Sequence, residues 1–189
     1  MEKVIIISYF FKPCNLTAAN RAYGWAKYLQ KYGYYPIIIT RSWEVEIKTP
    51  NDVLKSSGRK LDIVKRQEYE VHYLPYKSNL RDRINQNKKL VFISKFLTFF
   101  GLVLQNFTTF FIPYKNIYSH SLNYLKNNPD IKKVIITANP FNLFYFGYKL
   151  KKELNIKWIA DYRDDWTTSE LHEYKPLSNF SLINFLDKN

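Results

Sequence analysis

The sequence predicts an α/β chain: an open, mostly parallel sheet with helices on both of its faces. Three observations predict it. Apolar runs at 4–11, 36–40 and 134–136 are continuous rather than alternating, the pattern of strands buried on both faces. Segments of helical period separate strand-like runs. Gly33 and Asn155 stand where such helices must stop. The 189 residues suit one globular domain of ordinary size, and 46% hydrophobic content excludes a disordered chain. A single cysteine, Cys14, excludes a disulfide framework or a cysteine-based metal site. The lone cysteine suits a reducing compartment, so the expected location is cytoplasmic; residues 1–11 lack the long apolar core and small-residue cleavage site of a signal peptide and read as a first strand.

The elements follow in order. Residues 4–11 are the first strand, ended by Pro13. Thr17 is placed to cap a helix whose apolar positions are Ala18, Ala22, Trp25, Ala26 and Leu29, spaced by three and four. Gly33 then supplies a left-handed stop, and residues 36–40 are the second strand. Strand, helix, glycine and strand within about forty residues make a βαβ unit. Residues 41–66 show no clean period and read as an irregular insertion with one short helix. Residues 69–75 alternate enough for a further strand.

The pattern returns at residues 132–138. Asn139-Pro140 offers an N-cap with proline at the first helical position, where a missing N–H costs nothing. Phe141, Phe144, Tyr145, Tyr148 and Leu154 form the apolar face of the helix that follows. Asn155 ends it and residues 156–162 supply another strand. A second βαβ unit argues for a Rossmann-like doubly wound sheet.

Residues 90–112 approach the length of a membrane span. Polar residues at 94, 98, 101, 105 and 108 nevertheless step by four and three, so a helix over 90–105 carries a narrow polar stripe and a wide apolar face. Lys95 sits within it. Lys77, Arg81, Arg83, Lys88 and Lys89 precede it against the single acid Asp82. Basic residues beside an apolar face suit an anionic bilayer surface, and an ordinary buried helix with a solvated basic approach is the alternative. Net charge is +13, from 29 Lys plus Arg against 16 Asp plus Glu. That excess admits nucleic acid, anionic lipid or a phosphorylated substrate without choosing among them.

Open parallel sheets bind ligands where their strands end. Three stretches meet that edge here: residues 11–21, residues 137–142, and Asp161-Tyr162-Arg163-Asp164-Asp165-Trp166-Thr167. Three carboxylates and a guanidinium within five positions can orient or deprotonate a hydroxyl and hold a phosphate. A local Arg–Asp network with an Asp N-cap is the plainer alternative. No Gly-x-Gly-x-x-Gly fingerprint and no Walker A loop are present, so dinucleotide or ATP binding of those kinds is not expected. His72, His120 and His172 have no metal spacing and read as surface or satisfied histidines; no metal is expected.

Three motifs, Ile5-Ile6-Ile7-Ser8-Tyr9-Phe10-Phe11-Lys12-Pro13, Ala19-Asn20-Arg21-Ala22-Tyr23 through Tyr32-Gly33-Tyr34, and Ile159-Ala160-Asp161-Tyr162-Arg163-Asp164-Asp165-Trp166-Thr167, occur in this order. In that order they resemble the N-terminal half of a family 4 glycosyltransferase of the GT-B type. The resemblance implies a Rossmann-like acceptor-binding domain over residues 1–176, with 41–130 variable. It further implies that residues 177–189 begin a helix leading to a donor-binding domain outside this chain. The enzyme it implies transfers a hexose from a nucleotide sugar, with retention and without a metal or other cofactor, in cell-surface polysaccharide or glycolipid synthesis. The implied partners are the nucleotide sugar through the second domain, a glycan or lipid-linked acceptor, and the anionic inner face of the cell membrane, but not nucleic acid. By itself this half is expected to be inactive.

Carried onto this sequence, the resemblance makes Arg163 and Asp164 the catalytic candidates, Asp164 positioning the acceptor and Arg163 stabilising charge near the leaving diphosphate. Asn15, Thr17, Asn20, Arg21, Asn139, Pro140, Asp161 and Asp165 would line the cleft. Arg81, Arg83, Lys88, Lys89 and Lys95 would dock the membrane. The family's glycine-rich first loop is here Cys14-Asn15-Leu16-Thr17-Ala18, without glycine. The rival from another class is a non-catalytic basic α/β module that binds nucleic acid or anionic membrane.

Overall fold

Ile5, Ile6 and Ile7 are each fully buried because their strand, β1 (Glu2–Ile7), lies inside the sheet with neighbours on both sides. The computed structural model describes residues 1–44, 46–86 and 112–162. After β1 come α1 (Ala18–Tyr28), a 3-10 turn (Leu29–Tyr32), β2 (Tyr34–Arg41), a second 3-10 turn (Pro50–Leu54), β3 (Asp62–Lys65), β4 (Glu70–Leu74) and α2 (Leu80–Gln86). Then follow α3 (Lys115–Asn127), β5 (Lys133–Thr137), α4 (Leu143–Leu154) and β6 (Lys157–Asp161).

The six strands lie in the order β3-β4-β2-β1-β5-β6. Five are parallel, and β3 alone runs antiparallel, on the edge against β4. Ile6 of β1 stands opposite both Ile38 of β2 and Ile135 of β5. The chain leaves β1 toward β2 but leaves β5 toward β6, so the direction of winding reverses between β1 and β5. This is a doubly wound, Rossmann-like α/β sheet, as the sequence predicts.

Alternation along the strands assigns each helix to a face. Ile6, Ile38 and Val71 pack with Ala22 and Ala26 of α1. Ile5, Ile7, Ile37, Ile39, Val134 and Ile136 pack with Ile117 and Leu125 of α3 and Phe146 and Leu150 of α4. Each such isoleucine contributes roughly 1.5–3 kcal/mol by leaving water. The small residues of α1 let it approach the sheet closely. On the other side Gly147 does the same for α4: a Cβ there would lie 2.3 Å from Trp158 Cε2 of β6.

Both predicted helix stops are present. Gly33 adopts φ 83° after the 3-10 turn, and Asn155 adopts φ 50° after α4. Other expectations are corrected. The first strand ends at Ile7 rather than residue 11; Tyr9, Phe10 and Phe11 are buried, but in a loop, so their apolar run reports burial and not pairing. Thr17 occupies the N-cap position with helical dihedrals and makes no side-chain cap. Asn139-Pro140 does not open α4. Asn139 takes φ 73°, the peptide bond is cis, and the helix begins at Leu143 behind Asn142. Residues 41–66 hold the short 3-10 turn and also β3, whose Ile63 is exposed and whose edge position needs no clear apolar period. The predicted helix at 90–105 and residues 177–189 lie outside the described residues.

One buried cation organises the carboxyl ends of β2 and β4. Arg41, the last residue of β2, is only 2% exposed. Its guanidinium lies 4.0 Å from the ring centre of Trp43 and 3.8 Å from that of Tyr76. It donates to the Tyr9 hydroxyl, to Val53 O at 2.7 Å, Lys55 O at 2.9 Å, Ser57 Oγ at 3.1 Å and Ser42 O at 3.4 Å. Tyr76 in turn donates to Asp82 Oδ2 at 2.6 Å, a fully buried carboxylate on α2. Burial, with Tyr9 and Asp82 adding to it, pushes the Tyr76 phenol far above its usual range, so it stays a donor. Arg41→Lys keeps the charge but supplies three donors in place of a planar fork of five. It should cost about 2–4 kcal/mol in urea unfolding, since buried carbonyls lose their partners; a cost below about 1 kcal/mol would contradict this reading.

Candidate functional site

The carboxyl ends of β1, β5 and β6 lead into residues 8–17, residues 138–142 and Tyr162, the edge where an open α/β sheet places its ligands. The first of these loops is braced from every side although it lacks glycine. Ser8 Oγ donates to Phe10 O at 2.7 Å, and Cys14 N to Phe11 O at 3.0 Å. Tyr9 O accepts from Trp43 Nε1 at 3.1 Å and Thr40 Oγ1 at 3.2 Å. Tyr73 donates to Lys12 O at 2.8 Å, and burial raises its phenol to about 12, so that bond persists across the physiological range. Burial also pushes the Cys14 thiol up, which keeps it in its less reactive neutral form.

The predicted cleft residues divide by what their side chains touch. Asn15 forms two bonds with the backbone of Ile47: its Nδ2 donates to the carbonyl and its Oδ1 accepts from the N–H, each at 3.0 Å. Its amide therefore pins the insertion after β2 to the first loop. Thr17 and Asn20 are exposed at the start of α1. Asn139 is exposed and Pro140 half-buried in the turn after β5. Arg21 and Asp161, 140 positions apart in the chain, meet: Arg21 Nη2 donates to Asp161 Oδ1 at 2.6 Å.

This ion pair joins α1 to the end of β6 at the carboxyl edge of the sheet. Asp161 stands opposite Thr137 in the sheet, and its backbone oxygen accepts from Ala138 N at 3.0 Å. The pair is lopsided in its exposure. The Arg21 side chain is 45% exposed and that of Asp161 only 12%. Asp161 Oδ2 is buried with no hydrogen-bond partner among the described residues. Arg21 also sits 5.6 Å from the centre of the Trp25 ring, one turn on along α1. A half-exposed guanidinium beside an under-satisfied carboxylate can bind a ligand's anionic group and accept from its hydroxyl.

Arg163, Asp164, Asp165, Lys88, Lys89 and Lys95 lie outside the described residues. Arg81 is on α2, and Arg83, on the same helix, is exposed. No helix among the described residues is long and apolar enough to cross a membrane. No group of three or more His, Cys, Asp or Glu among them is arranged to hold a metal ion.

Two features escape sequence reasoning. The aromatic cradle of Arg41 draws its parts from four separate segments. The other is a contact between His72 and His120, 48 positions apart. A signal for the second existed in β4: Glu70, His72 and Leu74 alternate onto one face, and that face is buried.

Arg21→Ala should cost about 1–2 kcal/mol in chemical denaturation, because the exposed guanidinium itself contributes little while the carboxylate it leaves is largely buried. A loss above about 4 kcal/mol would mean that the pair is core architecture and not a ligand-facing contact. No protein-family model matches the chain, and no curated protein matches it in sequence.

Proposed function

We propose that this chain is the acceptor-binding domain of a nucleotide-sugar-dependent glycosyltransferase acting in cell-surface polysaccharide or glycolipid synthesis, in which a second domain binds the donor. The observation that carries the reading is the Arg21–Asp161 pair. It brings together, at 2.6 Å, two of the three motif segments on which the resemblance rests. The first segment supplies the braced loop beside them. The winding reversal between β1 and β5 supports it too, since such points are where open α/β sheets hold ligands.

In this reading Asp161 and Arg21 form the floor of the acceptor cleft. Asp164, three residues beyond the end of β6, positions the attacking hydroxyl, and Arg163 stabilises the charge that develops on the leaving diphosphate. The nucleotide sugar is a co-substrate and no metal is assigned a role. Docking to the inner face of an anionic membrane accompanies this reading. It draws support from Leu80, which is 66% exposed at the start of α2 beside exposed Lys77 and Arg83.

The test is transfer from labelled UDP- and GDP-sugars to membrane-extracted glycolipid by this domain joined to its donor-binding partner domain. Asp164→Ala should lower transfer by about 10²–10⁴-fold, the usual span for a lost acid–base group, while the circular dichroism spectrum is unchanged. Undiminished transfer by a folded Asp164→Ala protein would refute the site assignment.

A further inference from the structure

A line of three titratable side chains ties α3 to the sheet. His72 on β4 is fully buried, with Nε2 2.6 Å from Glu70 Oε1 and Nδ1 2.7 Å from Nε2 of His120 on α3. Glu70 is itself buried, whereas His120 is half-buried, so the line runs from the interior toward solvent. The Tyr124 ring, one turn along α3 from His120, closes over His72 with ring centres 4.9 Å apart.

The charged and titratable groups around the line come from every element packed there. From β3, Lys65 Nζ lies 3.7 Å from Glu70 Oε2. From β2, the Tyr35 phenol is raised by burial and by the charge of Glu70. From α3 and the turn after it, Tyr124 is raised by burial and then by Glu70 and Asp130. Both phenols are therefore neutral at physiological pH.

Counting protons shows what the geometry permits. With Glu70 ionised and both rings neutral, His120 Nε2–H donates to His72 Nδ1 and His72 Nε2–H donates to Glu70. A first added proton is accommodated without loss. It enters at the outer nitrogen of His120, the inner proton of His120 passes to His72 Nδ1, and the His72 imidazolium faces the Glu70 carboxylate. Both hydrogen bonds survive. A second proton leaves N–H groups on both of the nitrogens that face each other at 2.7 Å. No acceptor then lies between the rings, and two cations share a buried site.

We propose that the Glu70–His72–His120 line is an acid-responsive latch that holds α3 on the sheet and releases it when the pair takes up a second proton. The energetics agree with the geometry. Burial, and next the charge of His72, lower the pKa of His120 to about 4 from an ordinary value near 6.5. A base whose folded-state pKa is depressed is protonated first in the unfolded chain. Its stabilising contribution is thus whole above about pH 6.5 and declines as pH falls toward 4. α3 leads through residues 128–132 into β5, whose carboxyl end borders the candidate site, so its release would reach that site.

Hydrogen–deuterium exchange on the 189-residue chain, corrected for intrinsic rates, tests the latch. Between pH 7 and 4, α3 should lose at least about tenfold of its protection while β1 and β2 keep theirs. His120→Gln places a permanently neutral N–H donor opposite His72 Nδ1 and should abolish that selective loss. The same loss in a folded His120→Gln chain would overturn the proposal. Imidazole 15N spectra of the unaltered chain give a second readout that does not depend on the variant folding. They should show Nε2–H tautomers on both rings at pH 7 and coupled titration of the two. Independent titration of each ring near 6.5 would also overturn it.

Discussion

The burial of Arg41 is the constraint on which the carboxyl edge of the sheet depends. A guanidinium taken out of water loses a large solvation energy, and only complete replacement of its hydrogen bonds makes the site tolerable. The chain meets that demand with two backbone carbonyls from the 50–55 turn region, the Ser42 carbonyl, the Ser57 hydroxyl and the Tyr9 hydroxyl, between the faces of Trp43 and Tyr76. Each partner belongs to a segment outside the six strands of the sheet. Satisfying one cation therefore gives shape to the loop after β1, the insertion after β2 and the turn before α2. Asp82, reached through Tyr76, supplies the opposing buried charge without competing for the donors.

The two arginines at this edge of the sheet are in opposite situations. Arg41 has every N–H engaged and is closed to ligands. Arg21 is half-exposed, and its guanidinium makes one hydrogen bond among the described residues, to Asp161. The β2–β4 side of the edge is thereby lined by aromatic rings around a buried cation, while on the β1–β5 side the Arg21 side chain stays half-exposed. The overall charge of +13 chooses no partner by itself. The absence of glycine from the first loop matters less than its spacing alone implies: hydrogen bonds to and within the loop hold it in place without the freedom glycine would add.

The parts of the fold that were legible in the sequence are those where burial and periodicity agree. Isoleucine triplets at 5–7 and 37–39 had to be strands covered on both faces, and Gly33 and Asn155 had to stop helices because few other residues tolerate a left-handed backbone there. Apolar residues 9–11 misled for a physical reason: burial in an aromatic loop and burial in a strand leave the same trace in a linear pattern. β3 was invisible because an edge strand with an exposed Ile63 needs no apolar rhythm. Of the candidate site, Arg21 and Asp161 were legible as separate edge residues, but their pairing was not, because it depends on how α1 lies across three strands. The cradle of Arg41 and the meeting of His72 with His120 are tertiary in the same sense, assembled from segments whose separation in sequence carries no signal.

In the proposed function, a glycosyl acceptor binds at the carboxyl ends of β1 and β5, against Arg21 and Asp161. Amide chemical-shift mapping of the chain titrated with a polyprenyl-diphosphate-linked monosaccharide in detergent micelles addresses it most directly, with empty micelles as the reference. Saturable shifts should gather at residues 8–21, at 137–142 and at Asp161. Shifts confined to the opposite edge of the sheet, around the starts of β5 and β6, would contradict it, as would shifts that empty micelles reproduce.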